Sequence, residues 1–113
     1  MNHPELDMDD VRRRLLEQRQ QLVEESEASA DSRDTVALDQ TSTGRLTRMD
    51  ALQTQAMAQA AQRRREAAIR FIDLALTRID DDCFGECIEC GEYIAPKRLE
   101  LNYATLKCIG CAE

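Results

Sequence analysis

The chain has 113 residues, a net charge of −7, 33% charged residues, and two Phe, two Tyr and no Trp. That length holds at most one compact domain plus an extension, with a core built from Leu, Ile, Val, Met and Ala. An acidic surface repels a phosphate backbone, so direct DNA binding is not expected; a basic protein partner or plain solubility suits the charge better.

The N-terminal "MNHPELDMDD" lacks the basic-then-apolar pattern of a secretion signal, and no apolar run approaches the ~20 residues that span a bilayer. The chain therefore reads as cytoplasmic, with no membrane partner. His3 is expected to lie in a mobile terminus with no special role. "PELDMDDVRRRLLEQRQQLVEE" reads as a helical arm over about residues 4–28. Pro4 suits its first position, and Glu5 and Asp7 suit its first turn. Met8, Val11, Leu15, Gln18 and Leu22 recur at alternating spacings of three and four, a coiled-coil seam broken only by Gln18.

Residues 29–45, in "SEASADSRDTVALDQTSTG" and just beyond, form a soft turn region. Ser, Asp, Thr and small residues dominate there, and Gly44 is the clearest break. The conformation of 27–44 is left open between a frayed helix and a loop. A second arm follows over about 46–81, with no Gly or Pro and a length of roughly 54 Å if fully helical. "TRMD" at 47–50 resembles a capping box with Asp in the Glu role. Ile69, Ile72, Leu76 and Ile79 make its seam, widened by Phe71 and Leu74; further back the seam turns to Ala and Gln.

Neither stripe is wide enough to stand alone, so the arms are expected to pair antiparallel as residues 1–81. A turn near 41–44 sets Leu6 and Met8 opposite Ile79 and Leu76, and Leu15 opposite Phe71. The same register sets Glu24–Glu27 against Arg63–Arg65, which either pair there or are simply solvated.

Residues 82–113 carry all five cysteines. Cys87-x2-Cys90, seventeen residues, then Cys108-x2-Cys111 is a four-cysteine zinc pattern. Two intervening residues let a tight turn aim both thiolates at one ion. Four thiolates suit one tetrahedral Zn²⁺ and leave no position for water, so the metal is structural, not catalytic. Gly91 is expected at positive φ, where backbone amides can point at sulfur. Ile88, Ile94, Leu99, Leu101, Leu106 and Ile109 are candidates to pack around the site, and the module should fold only with metal. Cys83 is the spare, although a C-x3-C pairing with Cys87 is a second way to count. No Ser/His/Asp set, phosphate loop or open metal site is present, so the chain is not read as an enzyme. The fold class is mainly α: an antiparallel two-helix coiled-coil hairpin with a small C-terminal four-cysteine zinc-finger module.

"FGEC", "CGEYI", "KRLE" and "LKCIGC", in that order and spacing after a long helix, resemble the DksA/TraR family of bacterial RNA polymerase regulators. The resemblance covers roughly the last two-thirds of the chain, and "LDQTSTGRLTRMDALQTQAMA" is similar to the hinge region of short members. It implies a protein that binds RNA polymerase, its coiled-coil tip in the secondary channel and its zinc-bearing end on the rim, altering initiation without touching the template. Where longer members carry Asp-x-x-Asp-x-Ala at the tip, this chain has Gly44, Thr47 and Met49. Asp39 and Asp50, flanking the turn, are the substitutes, and Arg45 and Arg48 are further candidates for partner contact or plain exposed residues. The positions matching the family's ppGpp-binding basic residues are Asn102 and Ala112, which tells against the same alarmone response. With two residues after Cys111, no C-terminal helix is expected to brace the globular end, and Arg98 is expected to brace it against the helices instead. The competing readings are a zinc ribbon that binds nucleic acid and a redox-responsive protein–protein adaptor using Cys83.

Overall fold

The computed structural model describes residues 1–30 and 45–112, apart from the side chains of 45–47. Four helices are described: α1 (Met8–Ala28), α2 (Arg45–Asp80), α3 (Pro96–Leu101) and α4 (Ile109–Ala112). No strand is present among the described residues; one isolated antiparallel bridge joins Glu86 and Tyr93. The chain divides into two compact units, Met1–Gln20 with Ala68–Glu113, and Gln21–Ala67. The architecture is mainly α, a helical hairpin followed by a four-cysteine module, as the sequence led us to expect. The turn at 41–44 lies outside the described residues.

α1 begins at Met8, later than the expected start at Pro4. The Asp7 carboxylate accepts the Asp9 N–H (3.0 Å) and its carbonyl accepts the Val11 N–H (2.9 Å), so Asp7 caps the helix. Arg13 and Arg14 bond the Asp10 carboxylate (2.5 and 3.0 Å), and the Arg13 bond holds that carboxyl below its usual range.

In the first unit, Val11 and Leu15 of α1 and Ile72, Ala75 and Ile79 of α2 are buried. Arg12 meets Asp80 (2.6 Å) and Arg19 meets Asp73 (2.8 Å). Advancing along α1 thus means retreating along α2, so the segments are antiparallel. Leu15 lies between those two rungs, beside the Ala75–Ile79 turn. The expected pairing of Leu15 with Phe71 is therefore wrong by most of two helical turns. Phe71 is 49% exposed and Leu74 42%. Ala75 holds the seam position between Ile72 and Ile79, and a residue one step from a seam position is rotated ~100° away from it.

In the second unit, Gln62 is the one buried residue among those described. Its side-chain N–H donates to Ser26 Oγ (2.8 Å) and to Glu66 Oε1 (3.3 Å). Arg65 donates to Gln62 Oε1 (3.3 Å) and Ser29 Oγ (3.1 Å), and its Nε lies 3.6 Å from Glu25. Of the expected pairing between Glu24–Glu27 and Arg63–Arg65, the structure thus shows Glu25 with Arg65.

α2 ends in a Schellman turn. Cys83 N–H bonds the Arg78 carbonyl (2.9 Å) and Asp82 N–H bonds the Ile79 carbonyl (3.2 Å). The left-handed residue is Asp82 (φ 61°), where glycine is usual. Aspartate tolerates this region better than most residues, and here its carboxylate also accepts the Asn2 N–H (3.0 Å).

Candidate metal centre

Beyond α2 the chain doubles back tightly. Ile94 N–H bonds the Gly85 carbonyl (2.7 Å) and Cys87 N–H bonds the Glu92 carbonyl (2.8 Å), either side of the Glu86–Tyr93 bridge. Gly91 N–H returns to the Cys87 carbonyl (3.0 Å), with Gly91 at φ 76°, the positive value expected from its place after Cys90. Pro96 starts α3 at a position that needs no N–H, and this helix seats Leu99. Phe84, Ile94, Leu99 and Ala104 form the interior of the module with Cys87. Of the expected packing residues, Ile94 and Leu99 are fully buried, whereas Ile88, Leu101 and Ile109 are exposed. Phe84, absent from that expectation, takes the central place.

Arg98 Nε donates to the Lys107 carbonyl (3.1 Å), directly before Cys108. It ties α3 to the second cysteine pair, within the module, where a brace against the helices was expected. Ile88 N–H reaches the Leu106 carbonyl (3.0 Å) and links the two pairs. Cys111 and Ala112 N–H then turn onto the Cys108 carbonyl (3.1 and 3.0 Å), which forms α4.

These elements bring the sulfurs of Cys87, Cys90, Cys108 and Cys111 within 4.8 Å of one another. With Zn–S bonds of about 2.3 Å, sulfurs at the corners of a tetrahedron lie roughly 3.8 Å apart; Cys90 and Cys108 are at 3.7 Å. The donor set and its spacing fit zinc. The Cys87 thiol is lowered to about 6, chiefly by hydrogen bonds from the Cys90 and Cys108 backbone N–H groups. Cys111 is pushed up to about 12, chiefly by the hydrogen bonds its thiol makes with the Cys108 and Cys87 sulfurs. One thiolate is prepared by the fold, and the rest of the cluster calls for a positive ion. Cys83 is half-buried and stands outside the cluster.

The remaining candidates are not brought to this site. Arg48 and Asp50 are exposed on α2. Asp39 and the Arg45 side chain lie outside the described residues. Sequence reasoning missed three residues that shape the module. Arg78 donates to the Cys83 carbonyl (2.9 Å) and to the Glu86 carbonyl, gathering the turn before Cys87. Asn2 takes the Phe84 N–H on its Oδ1 (2.8 Å) and gives its amide N–H to the Ile79 carbonyl (3.1 Å). His3, expected in a mobile terminus, is 4% exposed. Nothing in "MNHP" marks these contacts, because their partners lie some eighty residues away.

A helical chain ending in a four-thiolate cluster of this geometry is a zinc-finger protein with one structural Zn²⁺. Residues 84–113 match the family model described as the prokaryotic dksA/traR C4-type zinc finger. Among solved structures, the chain is similar to transcription factor DksA2 from Pseudomonas aeruginosa, with 25% identity and a TM-score of 0.74. That match covers 92% of this chain and 78% of the other. No curated protein sequence matches the chain. The zinc finger over residues 84–113 and the fold are thus both similar to those of the DksA/TraR type.

Proposed function

We propose that this chain is a transcription regulator that binds RNA polymerase through the secondary channel. In this reading the tip of the helical hairpin is inserted and transcription initiation is modulated without sequence-specific DNA contact. The observation that carries the reading is the likeness to transcription factor DksA2 along 92% of the chain, joined to a zinc finger of the DksA/TraR type. The net charge of −7 agrees with a regulator that does not grip DNA. No described helix is long and apolar enough to cross a membrane, and the cytoplasm is the proposed site of action.

The functional division is a hairpin over 1–81 and a zinc module over 82–113, with Cys87, Cys90, Cys108 and Cys111 as the metal ligands. When bound, zinc supplies a structural cross-link with no open coordination position, and the protein catalyses no reaction. Asp39, Arg45, Arg48 and Asp50 are the proposed contact residues near the tip. Asn102 accepts the Ala104 N–H (3.0 Å) in a local turn. With a neutral residue at that place, the reading includes no ppGpp response like that of longer family members.

The test is a pull-down with core RNA polymerase at low salt, using the intact chain and one whose residues 36–50 are replaced by a Gly/Ser turn. The intact chain should be retained and should compete with other channel-entering factors; the altered chain should be lost. Failure of the intact chain to bind removes the proposal. Steeply salt-dependent retardation of labelled nucleic acid would favour the zinc-ribbon reading in its place.

A further inference from the structure

The first cysteine pair sits on the hairpin of Phe84–Ile94, and His3 closes the open end of that hairpin. His3 N–H donates to the Phe84 carbonyl (2.8 Å), and its ring Nε2 lies 2.8 Å from the Ile94 carbonyl. A carbonyl only accepts, so Nε2 carries the proton. The other ring nitrogen, Nδ1, accepts the Glu5 N–H (3.2 Å), which fixes the same tautomer. One residue thus holds a carbonyl from each side of the hairpin. The ring also rests against Tyr93, with centroids 5.0 Å apart. The fit is close: a Cβ on Gly85 would lie 2.6 Å from His3 Cβ, and Gly85 stands at φ 87°. Asn2 closes on the same turn through the Phe84 N–H.

We infer that His3 is a positioning residue of the zinc centre. It clamps the hairpin that presents Cys87 and Cys90, and so sets how firmly the metal is held. Groups that orient a ligand from outside the coordination sphere typically change metal affinity by about 10–100-fold. Here the clamp comes from the far end of the chain, and its ordering and that of the cysteine hairpin are mutually dependent. The inference rests on the zinc assignment and is independent of the polymerase reading.

The test is the rate of zinc transfer from the intact zinc-loaded chain to a chromogenic chelator, well below the unfolding temperature. His3→Ala should speed transfer about tenfold or more. His3→Gln, whose terminal N–H reaches toward the same carbonyl, should recover most of the loss. Leu15→Ala, which weakens the helix pair away from the cysteines, serves as the control for general destabilisation and should leave transfer nearly unchanged. His3 is the only histidine, so a single set of ring nitrogen signals should report the Nε2–H tautomer with zinc and a tautomer mixture without it. Transfer from His3→Ala at the wild-type rate, or no faster than from Leu15→Ala, overturns the inference. Should His3→Ala fail to fold, Gly85→Ala pushes His3 aside by its Cβ; wild-type transfer from that variant overturns it equally. Less than one zinc per wild-type chain would instead sink the metal assignment on which the role depends.

Discussion

The two compact units of this chain are held by different physics. The unit formed by Met1–Gln20 and Ala68–Glu113 buries Val11, Leu15, Ile72, Ile79, Phe84, Ile94 and Leu99, and carries the cysteine cluster. Among the described residues, the unit Gln21–Ala67 buries Gln62 alone and links its helices through Ser26, Ser29, Glu25 and Arg65. Apolar burial contributes in proportion to area, whereas hydrogen bonds exchanged with water contribute little net free energy while demanding one geometry. The first unit therefore has the means to be stable. The second has the means to be specific in register while remaining weak.

The largest test of that contrast is loss of the metal. Structural zinc contributes apparent energies of about 10–16 kcal/mol in small modules. Chelation, or Cys87→Ser, should remove the one zinc and abolish hydrogen-exchange protection of the Cys87 and Ile94 amides. Helical protection in Gln21–Ala67 should persist at its own lower level. Parallel loss in both units would break the contrast. Acid should act in the same direction. The Cys87 thiol is depressed to about 6 from an ordinary value near 9, so the stability tied to its thiolate is present above the ordinary value. That contribution is lost as pH falls through about 6. Zinc content measured against pH should fall on the acid side, because protons compete for the same four sulfurs.

Next comes the helix pair of the first unit. Leu15 is fully buried and Phe71 is 49% exposed, although both are large and apolar. Leu15→Ala should cost about 2–5 kcal/mol in denaturant unfolding, and Phe71→Ala about 0.5 kcal/mol or less. Equal costs would restore the register in which the two face each other and would contradict the rungs at Arg12–Asp80 and Arg19–Asp73.

How much of this was legible follows from where the information lies. The cysteine spacing is local and chemically restrictive, so Cys87, Cys90, Cys108 and Cys111 could be read as a set. Ile72 and Ile79 announced themselves by period. The register could not be read, because a seam of Ala and Gln from Leu52 to Gln62 offers many near-equal alignments, and the choice falls to Ala75 and to ion pairs between distant residues. The end of α2 was read at about residue 81 and falls at Asp80, although its Schellman turn uses Asp82 where glycine is usual. The clamp made by Asn2 and His3 could not be read. Two ordinary polar residues become structural only once the fold supplies the Phe84 N–H and Ile79 carbonyl to Asn2 and the Phe84 and Ile94 carbonyls to His3, and no local pattern encodes that.

The smallest expected effects separate the units most finely, because the same type of interaction occurs in both. Arg19–Asp73 bridges the helices of the first unit, with side chains 40% and 50% exposed. The bond raises the arginine's proton affinity, yet water screens a pair so open, and Arg19→Ala should leave stability nearly unchanged. Arg65 bridges the helices of the second unit at 23% exposure and is tied to Gln62, Ser29 and Glu25 at once. Removing it leaves the buried Gln62 oxygen short of a donor, so Arg65→Ala should cost about 1–2 kcal/mol. Among its described residues the second unit buries no apolar side chain that could absorb that loss. Its helical protection should drop while that of Ile72 and Ile79 stays unchanged. If Arg65→Ala proves as mild as Arg19→Ala, the polar network is incidental and the second unit's register must be set by something other than Gln62 and its partners.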